Sequence, residues 1–459
     1  MDEFSKVVGE GFCIGCGNCK AVSPMKVDIK LNEMGLYKPK LNSSFNRKEN
    51  ESFIKVCPFS GGSKSEDEYS DELYNENLHY SNLLGRYNKV LVGGVSNKQK
   101  RIASSSGGLT TYLVEKLLAN GMVDGVINVS PSTRNSDGFF EYTITDSLSG
   151  LNNTKKSRYH VVTYSNIIDV IMSFNGRLAF IGVPCFIKSI RLLSEENTIL
   201  KEKIKYHIAL FCGHQKSVAY SEYLASQICG INNIEKIDSI DFRVKDLDAN
   251  ADQYLIEVGL NNGERLSKRA KEIRWTDWGL GLFKPKACDY CDDVAGEVAD
   301  VIFGDAWIKP YASDPLGTNI VITRNTEIEN IFETGLLSGE IKFDEKGEAE
   351  VLQAQGGNFR HRKEGLLSRV EHKEKENMWY PKPRKSLYSN FKLNKSRHQL
   401  YLKREIITDA SHSAFVAAKL AGDISVFYSR MDEHVNDYYK LNRSFKKEVK
   451  SFIKKMIGK

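Results

Sequence analysis

Cys13, Cys16 and Cys19 recur every third residue and are followed, after Lys-Ala-Val, by Ser23-Pro24. A run of three thiols at this spacing ending in x-x-x-S-P matches an iron–sulfur ligand run, with Ser23 where the fourth cysteine would stand. In a two-cluster arrangement that fourth cysteine serves the other cluster, and the first cluster takes its last ligand from a second, distant run. Here the distant run is reduced to Val56-Cys57-Pro58, with no cysteine in the segment 46–53 before it. The two losses correspond, so Cys13, Cys16, Cys19 and Cys57 are expected to hold a single [4Fe–4S] cluster. Gly15 and Gly17 permit the tight backbone such a site needs. The alternatives are free thiols or zinc, and zinc favours paired C-x-x-C runs with no use for a third evenly spaced cysteine.

The chain has 459 residues, a length that argues for two or three units. With 41% hydrophobic residues it can build ordinary cores, and a net charge of +6 excludes a composition of the nucleic-acid-binding type. No apolar run is long enough to span a bilayer, and Met-Asp-Glu-Phe-Ser lacks the layout of a secretory signal. A reducing cytoplasm is the expected location, where nine cysteines count as ligands rather than as a disulfide framework.

The expected fold is mixed α/β, with a ferredoxin-like module over residues 1–62. Within it, residues 25–41 read as strand–turn–strand around Asn32-Glu-Met-Gly35. The polar, acidic stretch that follows, within 63–86, reads as a linker. Residues 87–358 carry short β-branched runs alternating with helical patterns, including strands over 89–96, 123–130, 139–145, 177–183 and 206–212. A helix with Leu109, Tyr112, Leu113 and Leu117 on one face follows Ser104-Ser-Ser-Gly-Gly108. Such a loop offers free N–H groups and the positive end of a helix dipole to a phosphate or an electron-rich ring. It is equally consistent with a serine N-cap preceded by a flexible lead-in.

Residues 359–459 read as a basic, helical extension. Phe445, Val449, Phe452, Ile453 and Met456 fall on one face of its last helix, which suits packing on its own domain better than membrane-surface or partner docking. Cys185 and Cys212 end two apolar strands, at the edge of an open α/β sheet where ligands bind. With Cys288-x-x-Cys291 they make a second set of four, either converging on one site or serving separately as core residues and a redox or zinc pair. Cys229 is left over, on the apolar side of a helix.

Taken together, these segments resemble the beta-subunit family of coenzyme factor-420 hydrogenases and dehydrogenases, whose relatives include 7-hydroxymethyl chlorophyll a reductase. The resemblance is carried by 13–24 with Cys57-Pro58, Ser104–Gly108, Ser157-Arg-Tyr159, Gly182-Val-Pro-Cys185, Phe211-Cys212, 287–291 and 299–307, in family order over about residues 8–325. It implies an FAD-containing oxidoreductase, with Ser105, Ser106, Gly107 and Gly108 lining the flavin site and Arg158 and Tyr159 approaching it. It also implies a second [4Fe–4S] cluster on Cys185, Cys212, Cys288 and Cys291. Phe186 and Gly213-His214 depart from the pattern expected beside the cysteines.

The implied activity moves electrons between a ferredoxin or similar redox protein and a small organic substrate. Some bacterial members of the family occur beside surface-polysaccharide genes and the Lys/Asn/Ile-rich composition fits such a bacterium, so the resemblance also implies a sugar-linked substrate. The other reading is an electron-transfer subunit without substrate chemistry of its own, docking on a partner enzyme. His160, His207 and His214 are the candidates for proton transfer, on the ground that a histidine pKa lies near neutrality.

Overall fold

The apolar runs assemble into one eight-stranded mixed sheet. Its order is Ile341–Lys346, Lys89–Val95, Asn319–Thr323, Val301–Asp305, Ile204–Leu210, Leu178–Gly182, Gly125–Pro131 and Phe140–Thr145. The four strands from Val301–Asp305 to Gly125–Pro131 run parallel, and antiparallel strands flank them on both sides. The parallel strands are buried along most of their length, which is why they read as continuous apolar runs rather than as alternation. The computed structural model describes residues 2–74, 76–132, 138–384 and 395–457, those after Arg443 as backbone only.

Helices cover both faces. Leu109–Ala119 buries Leu109, Tyr112, Leu113 and Leu117 against one face, beside Ile208 and Val321. On the other face Pro184–Glu196 starts directly after its strand, with Pro184 in the first turn, where its missing N–H costs nothing. Cys185 therefore sits in a first helical turn, beside the adjacent parallel strand that leads to Cys212. A separate three-stranded antiparallel sheet, Ile237–Val244, Leu255–Leu260 and Arg265–Arg269, stands nearby.

At the N-terminal end the expected strand–turn–strand is present, Val27–Leu31 against Tyr37–Leu41 with Gly35 at φ +71°. The helix Arg47–Val56 opens on a capping box between Asn46 and Glu49 and delivers Cys57 at its C-cap.

The acidic stretch read as a linker is folded. Glu66–Leu73 is a helix with a capping box between Ser65 and Glu68, and it buries Glu66, Tyr69 and Ser70. Three carboxylates in its first turn face the positive end of the helix dipole, and Glu66 pairs with Lys188 at 3.1 Å.

The C-terminal part is helical as expected, over Glu348–Arg362, Glu364–Lys375, Lys395–Ala421 and Ile424–Ile457. It is not peripheral to the rest. Phe283 stacks on Phe427 at 5.5 Å and meets Phe415 edge-on, and its N–H donates to Ser411 Oγ at 2.9 Å. The side chains of the amphipathic face at Phe445, Val449, Phe452, Ile453 and Met456 lie outside the described residues. Among the described residues no helix is long and apolar enough to cross a membrane.

Candidate functional site

The first set of thiols is built from one loop, the short helix Asn18–Val22 that follows it and the end of the helix Arg47–Val56. Cys13, Cys16, Cys19 and Cys57 line a common pocket with Phe12, Ile14, Phe53 and Phe59. Gly17 sits at φ +107°, and a Cβ there would lie 2.5 Å from Ser165 Cβ, so the backbone passes where only glycine fits. Asn18 ties the loop to both neighbouring helices, donating to the carbonyls of Val56 at 2.7 Å and Ser189 at 2.8 Å. The Cys13 Sγ accepts from Gly15 N–H at 3.3 Å. Burial, together with the thiols of Cys13 and Cys16, pushes Cys19 and Cys57 well up, and burial drives Cys16 to about 11.

The second set is assembled from three distant segments. Cys185 stands in a helix start, Cys212 just past the neighbouring strand, and Cys288 and Cys291 on a short 3₁₀ turn and the residues after it. Burial, then the thiols of Cys291, Cys212 and Cys288, pushes Cys185 well up. Burial raises Cys212 to about 11 and Cys288 and Cys291 to about 12, against the pull of the Arg362 guanidinium. Arg362 donates to Cys291 Sγ and to the carbonyls of Cys212 at 2.7 Å and Gly213 at 3.1 Å.

All nine cysteines are free thiols. Among the described residues no three His, Cys, Asp or Glu side chains converge closely enough for a single metal ion. Each set is instead a group of four thiols that feel one another's charge, and an all-thiol donor set is what an iron–sulfur cluster takes. Arg362 Nε is buried and without a hydrogen-bond partner among the described residues, next to the terminal nitrogens that reach Cys291 and the Cys212 carbonyl. The residues present therefore fit such a group. Cys229 stands apart, half-buried, its Sγ donating to the Ala225 carbonyl.

The Ser/Gly loop lies across two strands of the large sheet. The Gly107 carbonyl accepts from Val95 N–H at 2.9 Å, and a Cβ on Gly107 would lie 2.6 Å from the Gly93 carbonyl. The helix N-cap is Gly108, at φ +85°, rather than a serine. Asn319 Oδ1 takes the Leu109 N–H at 3.0 Å, so part of the helix start is already satisfied.

Ser157 N–H donates to Ser105 Oγ at 2.7 Å, which brings the Ser157–Tyr159 segment to the loop. Tyr159 then accepts from Arg243 at 3.1 Å, whereas Arg158 lies over Phe140 and donates to the Lys155 carbonyl, away from the loop. Two cations grip the loop from outside. Arg243 donates to the Ser105 carbonyl at 3.1 Å and pairs with Asp305 at 3.2 Å, under Tyr254 and Trp307. Lys245 donates to the Ser106 carbonyl at 2.9 Å. Burial, then Arg101, Lys156 and Arg243, pulls its pKa down to about 7. Sequence reasoning missed both. The available signal was two basic residues at i, i+2 on one face at a strand end.

Contiguous contacts join the three places. Tyr159 meets Trp278 at 5.1 Å, Trp278 meets His214 at 4.5 Å, and His214 meets His361 at 6.4 Å, beside Arg362. Between the two sets, Phe12, next to Cys13, meets Tyr290 of the C-x-x-C turn edge-on at 4.8 Å, and the half-buried Lys38 donates to the Cys13 carbonyl at 2.8 Å. The candidate histidines do not meet the reason for choosing them. Burial drives His160 and His207 down to about 4 and His214 well below its ordinary value, so none titrates near neutrality.

Fold and site together define a mixed α/β protein with two four-thiol groups and a cation-gripped loop. Residues 90–169 match the family model described as coenzyme F420 hydrogenase/dehydrogenase, beta subunit N-term, and residues 175–349 match its C-terminus counterpart. The chain belongs to the coenzyme F420 hydrogenase/dehydrogenase beta-subunit family, a family of redox proteins.

It is 24% identical over 343 residues to the coenzyme F420-dependent sulfite reductase of Methanocaldococcus jannaschii, covering 72% of this chain. It spans only 47% of that protein's length. It is 23% identical to one of the subunits of the F(420)H(2) dehydrogenase of Methanosarcina mazei, over 76% of this chain and 94% of that one. A chain of the F420-reducing [NiFe] hydrogenase complex from Methanosarcina barkeri superposes with a TM-score of 0.49 at 15% identity, covering 67% of this chain and 99% of that one. The matched segments contain the second thiol set but neither the first nor Arg362.

Proposed function

We propose that the chain is an oxidoreductase using FAD and two [4Fe–4S] clusters, moving electrons between a ferredoxin-like donor and a small organic substrate. In this reading Cys13, Cys16, Cys19 and Cys57 hold one cluster, and Cys185, Cys212, Cys288 and Cys291 hold the other. When bound, FAD exchanges two electrons with an organic molecule and releases them singly, and each cluster carries one.

The chain's own residues do the rest. Arg243 and Lys245 hold Ser105 and Ser106 by their carbonyls and so fix the shape of the loop whose N–H groups would meet a dinucleotide. Trp307, 41% exposed, offers an aromatic face above Arg243. Tyr159 and Trp278 fill the space between loop and second thiol set and exclude water from it. The proposed division is a cluster module over 1–62 and a flavin and cluster unit over 87–358, with 63–86 and 359–459 packed on both. A sugar-linked substrate and a cytoplasmic setting belong to the same reading.

One observation supports it most. The series of contacts from Ser105 through Arg243, Tyr159, Trp278 and His214 to His361, the neighbour of Arg362, gives a path between a cation-rich loop and buried thiols. Anaerobic purification with iron, sulfide, zinc and flavin analysis tests it. About eight iron atoms and one FAD per chain are expected for two such clusters and one flavin. Zinc without a chromophore overturns the assignment.

A second reading, an electron-transfer subunit docking on a catalytic partner, is favoured by the match to nearly the whole of a protein named as a dehydrogenase subunit. Turnover of substrate by the isolated chain with an artificial donor excludes it.

A further inference from the structure

The two thiol sets sit in different electrostatic surroundings. In the first set, the Cys13 sulfur accepts from an uncharged amide, that of Gly15. The nearby cation, Lys38, donates to the Cys13 carbonyl oxygen rather than to its sulfur. In the second set a guanidinium reaches a sulfur directly. Arg362 ends the helix Glu348–Arg362, is 2% exposed, and spends its two terminal nitrogens on Cys291 Sγ and on the Cys212 and Gly213 carbonyls. After the cost of burial, the charges that act on it are Cys291, Cys212, Cys288 and Cys185, in that order. It is therefore a buried cation whose counter-charge is the thiol set itself. Lys284, Arg369 and Arg404 surround the carboxylate Asp289 inside the C-x-x-C turn, while the buried carboxylates Asp292 and Asp293 just after it oppose Arg362 at Cys291, Asp292 being paired by Arg384 at 3.4 Å.

We propose that Arg362 sets the reduction potential of the second four-thiol site, holding it above that of the first. The inference rests on the two-cluster reading given above. Reduction adds one electron, and so one negative charge, to the group that four thiolates hold. Hydrogen bonds to the sulfurs and local net charge set the potential of such a group. A charge-assisted bond from a fixed guanidinium favours the more negative, reduced form more strongly than a neutral amide does. Electrons arriving at the first site thus run downhill to the second, which ring contacts through Tyr159, Trp278 and His214 join to the Ser/Gly loop.

The test is an anaerobic redox titration of the full-length protein followed by electron paramagnetic resonance. It compares the native chain with Arg362→Gln and Arg362→Lys, and assigns the waves with Cys57→Ser. Two waves are expected, the second site's at the higher potential. Arg362→Gln should change that site's reduced-to-oxidised ratio at least tenfold toward oxidised, about 59 mV for one electron, and leave the first site within a third of that. Arg362→Lys, which keeps the charge but loses the fork, should shift it less.

Iron analysis of each variant checks loading, and the Lys variant alone decides the matter if the Gln variant fails to load. A second-site wave that is the lower of the two overturns the proposal, as does a wave that ignores both substitutions or a shift equal at both sites. Four rather than eight iron atoms in the native protein instead overturn the two-cluster reading beneath it, and the proposal with it.

Discussion

The two four-thiol groups reach similar arrangements by opposite routes. The first is nearly local. Three of its members lie in one loop shaped by Gly15 and Gly17 and the first turn of the helix Asn18–Val22 that follows it, and the fourth is placed by a single capped helix. The second depends on the whole tertiary structure. Its thiols come from a helix start, a strand end and a 3₁₀ turn, and its outer wall comes from the C-terminal helices. Arg362, Arg369 and Arg384 each reach it or the residues beside Cys288 and Cys291. A local site should survive damage elsewhere, and a composite one should not.

The largest expected effect is on iron content. Cys57→Ser should remove about half the iron and leave the absorbance of the second site, and Cys212→Ser should do the converse. Loss of all iron from either variant would merge the two groups into one. Removal of everything beyond Arg384 strips Ser411, Phe415 and Phe427 from Phe283. It should empty the second site and spare the first, as read by iron analysis and by the remaining cluster spectrum. A truncation that keeps all its iron would break the contrast.

Smaller effects sharpen it. Arg369, fully buried, pairs with Asp289 at 3.4 Å and donates to the Asp289 and His361 carbonyls. Arg369→Met should cost about 3 kcal/mol in denaturant unfolding, the low end for a broken buried pair, because Lys284 still holds the carboxylate at 2.6 Å. Second-site iron should be lost first. Gly17→Ala forces a Cβ against Ser165 in a backbone region that favours glycine. It should cost roughly 2 kcal/mol and loosen only the first site. Ser411→Ala removes the acceptor for the Phe283 N–H and should lower stability by about 1 kcal/mol, with iron unchanged.

This contrast also explains what could be read from the chain. That Cys13, Cys16, Cys19 and Cys57 would line one pocket was legible because local spacing and glycine placement shape a local site. The strands ending before Cys185 and Cys212 were legible because buried parallel strands are continuous apolar runs, and in the fold they are adjacent. Arg362 was not. Nothing in Arg360-His361-Arg362 distinguishes a solvated basic helix end from a buried one, and only packing turns that residue inward. Lys38 sits on a hairpin strand whose pattern gives no reason to expect a second thiol set nearby. The acidic stretch after Gly61 misled in the same way, since Glu66 is buried against Lys188 and the first-turn carboxylates meet a helix dipole. The C-terminal helices read as an extension because their partner, Phe283, lies more than a hundred residues earlier.

The most direct test of the account is low-temperature electron paramagnetic resonance of the dithionite-reduced protein. Phe12, next to Cys13, meets Tyr290, between Cys288 and Cys291, edge-on at 4.8 Å, so two reduced clusters on the two sets are expected to perturb each other. A broadened, interacting spectrum is expected, collapsing in Cys57→Ser to one narrow signal from the second site. A native protein with no such signal, or a Cys57→Ser spectrum identical to the native one, would contradict it.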